Sequence, residues 1–105
     1  MSFTDRERDF EARFVHDQEL RFRIEARRNK LIGLWAAEKL GKTGEEATAY
    51  AQSVINVAFQ APGDEGVFGK IRGDFDAAGV DQSDHQIRRH LDELLAQAET
   101  QIRGE

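Results

Sequence analysis

The chain has no cysteine and only one each of proline, methionine, tryptophan and tyrosine among its 105 residues. Without cysteine there is neither a disulfide framework nor a thiolate zinc site. No apolar run approaches the roughly 20 residues needed to span a bilayer, so no membrane insertion is expected. The opening "MSFTDRERDF" is charged where a secretory signal needs an apolar block, which makes a cytoplasmic location the expectation. No segment alternates apolar and polar residues with period two. No Asn-Gly or Asp-Gly turn joins two β-branched runs, so the signals of a β-sheet fold are missing.

What is present is charge, unevenly placed. Hydrophobic residues make up 39% and charged residues 33%, with a formal net charge of −5. The length favours one domain, one that buries roughly 65% of its unfolded surface on folding. Residues 1–30 hold 8 Lys and Arg against 7 Asp and Glu, and the remainder holds 7 against 13. An Arg-rich, near-neutral N-terminal stretch on an acidic body points to a protein partner. It argues against nucleic acid, because the field of the whole protein repels phosphates.

Helix punctuation divides the chain. "TDRE" at Thr4–Glu7, "TGEE" at Thr43–Glu46 and "SDHQ" at Ser83–Gln86 fit the reciprocal capping box. Gly41, Gly79 and Gly104 stand where left-handed C-terminal caps belong, Pro62 closes a segment, and Asp64 can cap the next. Four helices follow. The first ends at Leu40 and starts as early as Thr4, and the second covers about Thr43–Gln60. The third covers about Asp64–Ala78 and the fourth about Ser83–Arg103. Apolar stripes recur at i, i+3, i+4 and i+7: Ala47, Tyr50, Ala51, Val54, Ile55, Ala58 and Phe59; then Val67, Phe68, Ile71 and Phe75; then Ile87, Leu91, Leu94, Leu95, Ala98 and Ile102. Short connections between them predict an all-α fold, a small antiparallel four-helix bundle.

The first helix is too long for that bundle. At 1.5 Å per residue Thr4–Leu40 spans about 55 Å, roughly twice the others. From Leu20 onward, Leu20, Ile24, Leu31, Leu34 and Trp35 share one side. Phe3, Phe10 and Phe14 form a second cluster, turned by about 90° from the first at 100° per residue. Between them "HDQE", His16–Glu19, has nothing to bury. The expected division is therefore a flexible N-terminal arm, residues 1–18, and a bundle, residues 19–105. Alone, an arm of this length is marginally helical, and in an apolar groove its phenylalanines serve as anchors.

Candidate chemistry is sparse. "LGKTG", Leu40–Gly44, lacks the first glycine of a phosphate loop, since Ala36 stands there, and it follows a helix where that loop follows a strand. His85 and His90 are five apart and do not converge on a metal. Glu45/Glu46 and Asp92/Glu93 are adjacent, so each pair diverges on a helix surface. No enzyme, no cofactor and no metal are expected. "ARRNK", Ala26–Lys30, reads as a solvated helix face, with pairing to carboxylates or to an anionic ligand as the competing reading. Trp35 reads as core.

The stretch "FTDRERDFEARFVHDQELRFRIEARRNKLIGLWAAEKLGKTGEEATAYA", with "GDEGVFGKIRGDF" further on, resembles the zeta-subunit family of alphaproteobacterial ATP synthases over essentially the whole chain. The resemblance implies a non-enzymatic helical bundle that inhibits ATP hydrolysis by the catalytic head of the synthase. It further implies that the N-terminal segment enters a catalytic αβ interface beside the rotating γ subunit. Carried over by position, the inhibitory contacts are Phe3, Arg6, Glu7, Arg8, Phe10, Glu11, Arg13 and Phe14. Two other functions fit the residues: a helical adaptor using the same arm on another protein, and a regulatory bundle with weak adenine nucleotide binding at Arg27, Arg28 and Lys30.

Overall fold

A computed structural model describes the backbone of residues 3–61 and 63–105, and the side chains of residue 13 and of residues 15–61 and 63–105. Among the described residues the fold is all-α, with four helices and no strand: α1 Phe3–Lys39, α2 Gly44–Gln60, α3 Asp64–Ala78 and α4 Asp84–Arg103. The molecule measures 62 × 24 × 22 Å, its long axis set by the 37 residues of α1.

The C-terminal half of α1 is the spine of the bundle, with α2 and α4 as its main neighbours. Both run antiparallel to it. Gly33 meets Ala51 of α2 and Phe22 meets Phe59, while Trp35 meets His90 of α4 and Arg23 meets Glu105 beyond its end. The α1–α2 crossing is close because position 33 has no side chain. A Cβ there would lie 2.7 Å from the Cα of Ala51. The short third helix packs Val67, Ile71 and Phe75 against its neighbours and adds polar contacts to them. Tyr50 donates to Asp74 at 2.8 Å, Arg88 pairs with Glu65 at 3.0 Å, and Arg72 bridges Asp76 and Asp84. Burial, and then the bond to Asp74, push the Tyr50 phenol above its ordinary value of 10.0.

The main core gathers Ile32, Val54, Val67, Ile71, Phe75, Ile87 and Leu91, drawn from all four helices. A smaller cluster of Ile24, Ala98 and Ile102, with Leu20 and Leu31 half-buried against it, fastens α1 to the end of α4. Several stripe residues sit at the edge instead. Leu34 and Leu95 are exposed, and Phe59, at the end of α2, is 66% exposed. Ile32, Ala36 and Ala37, outside the expected stripe, are buried because α2 covers a second side of α1. Trp35 packs against the core but is only half-buried.

The punctuation holds in part. At Ser83 both bonds of the capping box form, at 3.1 and 2.8 Å, and Gly79 caps α3 at φ 70°. Thr43 makes no side-chain cap. The α1–α2 corner is turned by Gly41 and Gly44, with φ of 77° and 54°. Gly104 stays right-handed at φ −86°. Asp64 does not cap α3: it is the first residue of the helix, Gly63 holds the N-cap position, and the Asp64 carboxylate accepts from Arg28. The expected roles of Pro62 and of the Thr4 and Glu7 side chains lie outside the described residues.

Candidate functional site

The candidate site is the part of α1 that the bundle does not cover, together with the joint where coverage begins. Arg13 and every residue from Val15 to Glu19 are exposed, Val15 by 54%. Leu20 is the first described side chain of α1 to be partly buried. Helix geometry continues across this point, so the change is one of neighbours alone. Of the expected contact residues, Arg13 is exposed on this free stretch. The side chains of Phe3, Arg6, Glu7, Arg8, Phe10, Glu11 and Phe14 lie outside the described ones.

The joint is held by arginines. Arg27 donates to Glu105 at 2.6 Å and to Gln101 at 2.8 Å, and Arg23 reaches the same Glu105 at 3.2 Å. The hydrogen bond from Arg27, reinforced by the charges of both arginines, holds the Glu105 carboxyl below its ordinary value of 4.5. On the opposite side, Arg28 is 4% exposed and donates to Asp64 at 2.8 Å and to Asn29 at 2.9 Å. The reading of "ARRNK" as a solvated face is thus corrected, and the competing one, pairing with carboxylates, holds for Arg27 and Arg28. Arg28 and Asn29 are buried beneath the α2–α3 corner, Arg27 is half-buried against α4, and Lys30 is exposed. A signal for this was available, since Ile24 and Ile32 flank Arg28 at i−4 and i+4. The neighbours of Arg27 and Arg28 lie on different sides of the helix, so the two guanidinium groups form no common anion site.

Beside Arg28 opens a cleft of about 290 Å³, walled by Phe22, Glu25, Ile55 and Phe59. The rings of Phe22 and Phe59 stand 6.0 Å apart, centroid to centroid, with 56% and 66% of these residues exposed. Neither ring was marked as a site residue by periodicity. Phe59 reads there as one more core position, and only the end of α2 beside α1 makes it a surface feature.

Among the described residues no group of three His, Asp or Glu is placed to hold a metal ion. His90 stacks on Trp35 at 4.2 Å, and His16 is exposed. No described helix is long and apolar enough to cross a membrane.

Comparison with known proteins adds the family. The family model described as ATPase inhibitor subunit zeta matches residues 1–101 of the chain. A protein whose structure was determined by solution NMR is 42% identical to it. The similarity covers 81% of this chain and 96% of that one, with a TM-score of 0.72. No curated protein matches the chain.

Proposed function

We propose a function from one premise: the chain belongs to the ATPase inhibitor subunit zeta family. The protein restrains ATP hydrolysis by the catalytic head of ATP synthase and performs no catalysis itself. Its N-terminal segment, residues 1–18, enters a catalytic αβ interface beside the γ subunit and arrests rotation in the hydrolytic direction. The bundle, residues 19–105, remains outside on the cytoplasmic side as the handle of that wedge. The observation that carries this reading is the exposure of Arg13 and of Val15–Glu19 on α1, ahead of Leu20, where coverage by the other helices begins.

Physical chemistry supports the division of labour. Phe10 and Phe14 are four apart, so a helix presents them together as anchors, with Arg6, Arg8, Glu11 and Arg13 to form a charged rim. Without a partner such a segment is marginally helical, and burial in the interface supplies what an isolated helix lacks. Amides of residues 3–18 are accordingly expected to exchange hydrogen far faster than those of Ile87–Leu95 in the free protein. Equal protection would mean that the arm is folded onto its own bundle.

The deciding experiment is a titration of the isolated catalytic head with the full-length protein, following ATP hydrolysis. Hydrolysis should fall to a residual level at one inhibitor per head. An unchanged rate at saturating protein would remove this reading and leave the helical adaptor.

A further inference from the structure

We infer that the cleft between Phe22, Phe59 and Glu25 is a second docking element, which takes an apolar segment bearing a Lys or Arg from the surface of the partner that holds the arm. The inference rests on the proposed wedge and extends it to a part of the bundle itself.

Three observations converge on this occupant. The first is apolar exposure at one place. Phe22 from α1 and Phe59 from the end of α2 meet at 6.0 Å while more than half of each remains in water. Paired exposed aromatic rings of this kind mark contact sites when they border a concave surface. The second is charge. Arg28 is neutralised within the fold by Asp64. Glu25 makes no ion pair among the described residues, so the cleft carries one surplus negative charge in the same lining as its two rings. That combination suits a cation, which gains from the carboxylate and from the aromatic quadrupoles together. The cleft, about 290 Å³, suits one long side chain and its apolar neighbour and is too small for a whole helix.

The third is register along α1. The backbone is helical without interruption from Phe3 to Lys39. At 3.6 residues per turn, the 18 residues from Phe10 to Arg28 make about five whole turns, as do those from Phe14 to Ile32. Glu25 falls within about 60° of the same line at 100° per residue. The line of Phe10 and Phe14 therefore reaches the cleft at its Arg28 and Glu25 edge, with Phe22 about 80–120° further round the helix. A surface gripping Phe14 reaches Glu25 after about 16 Å, eleven residues at 1.5 Å each.

Full-length Phe59→Ser and Glu25→Lys variants test this, since both positions are exposed and neither belongs to residues 1–18. In the titration of the isolated head, each should raise the half-inhibiting concentration by about tenfold, the scale of an interface residue worth ~1.4 kcal/mol. The loss for Glu25→Lys should shrink at high salt, while helical circular dichroism and the melting temperature stay put. Unchanged potency of Glu25→Lys overturns the inference, whatever becomes of the Phe59 variant. Comparison with Phe10→Ala/Phe14→Ala separates the two proposals. If only that double variant loses potency, the wedge stands and the cleft is idle. If only the cleft variants lose potency, the cleft is the docking site and the wedge reading falls.

Discussion

One helix carries two regions that differ in their neighbours and hardly at all in their backbone. From Leu20 to Lys39, α1 is flanked by α2 and α4, and even an arginine is buried there because Asp64 and Asn29 meet it. Through the described part of the preceding stretch, Arg13 and Val15–Glu19, each side chain faces water. Secondary structure is thus no guide to which part of α1 belongs to the body. The lesson is that a helix becomes structural only where a second element buries one of its sides, since short helices draw most of their stability from packing.

The largest effect is expected from removing anchors in the uncovered region. Phe10→Ala with Phe14→Ala should weaken inhibition of the catalytic head by at least several hundredfold, because each buried interface aromatic is worth ~2 kcal/mol or more. The melting curve should not move. If the double variant melts markedly lower, those rings belong to the body after all.

Next in size is damage to the covered region. Leu91 is 2% exposed in the main core, and Leu91→Ala should cost roughly 2–5 kcal/mol in denaturant unfolding through the cavity it leaves. Inhibition by the fraction that remains folded should persist. A smaller effect is expected at the α1–α2 crossing. In Gly33→Ala the new methyl must displace α2 backbone, an overpacking of about 1–3 kcal/mol, set against about 1 kcal/mol of improved helix propensity. Net destabilisation is expected. Gly73→Ala, with nothing within 4 Å of the new atom, is its control and should stabilise slightly.

The smallest effect concerns acid. Glu65, bonded by Arg88, and Glu105, bonded by Arg27 and assisted by Arg23, both titrate below 4.5 in the folded chain. The unfolded state therefore binds more protons in that range, so stability rises with pH there. The contribution is present above pH 4.5 and lost as pH falls through the folded values. Both carboxylates are exposed, so the expected readout is local. Amides of Thr100–Arg103 should lose protection at pH 3 before those of Ile87–Leu91 do, as seen by hydrogen exchange. Simultaneous loss would show that the joint to α4 has no separate stability.

Phe22 illustrates where sequence reasoning stops. Its neighbours Leu20 and Ile24 pack toward α4, as their spacing with Leu31 announces. Phe22 lies on the other side, where coverage depends on how far α2 reaches back along α1, a distance set by the length of α2 and the closeness of the Gly33 crossing. Arg28 is the same problem in polar form. Its partner Asp64 is 36 residues away and reads locally as a helix cap.

The helical class, the four segments and the Ser83 and Gly79 punctuation are written in local sequence. These follow from period, capping chemistry and backbone freedom, which act over a few residues. Membership of the inhibitor family was likewise carried by residues 1–101 as a string. The burial of Arg28, the meeting of Phe22 and Phe59 over an open cleft, and the start of coverage at Leu20 come from packing between helices. Each of these depends on which surfaces of distant segments come together, and burial belongs to pairs of surfaces that no local pattern contains.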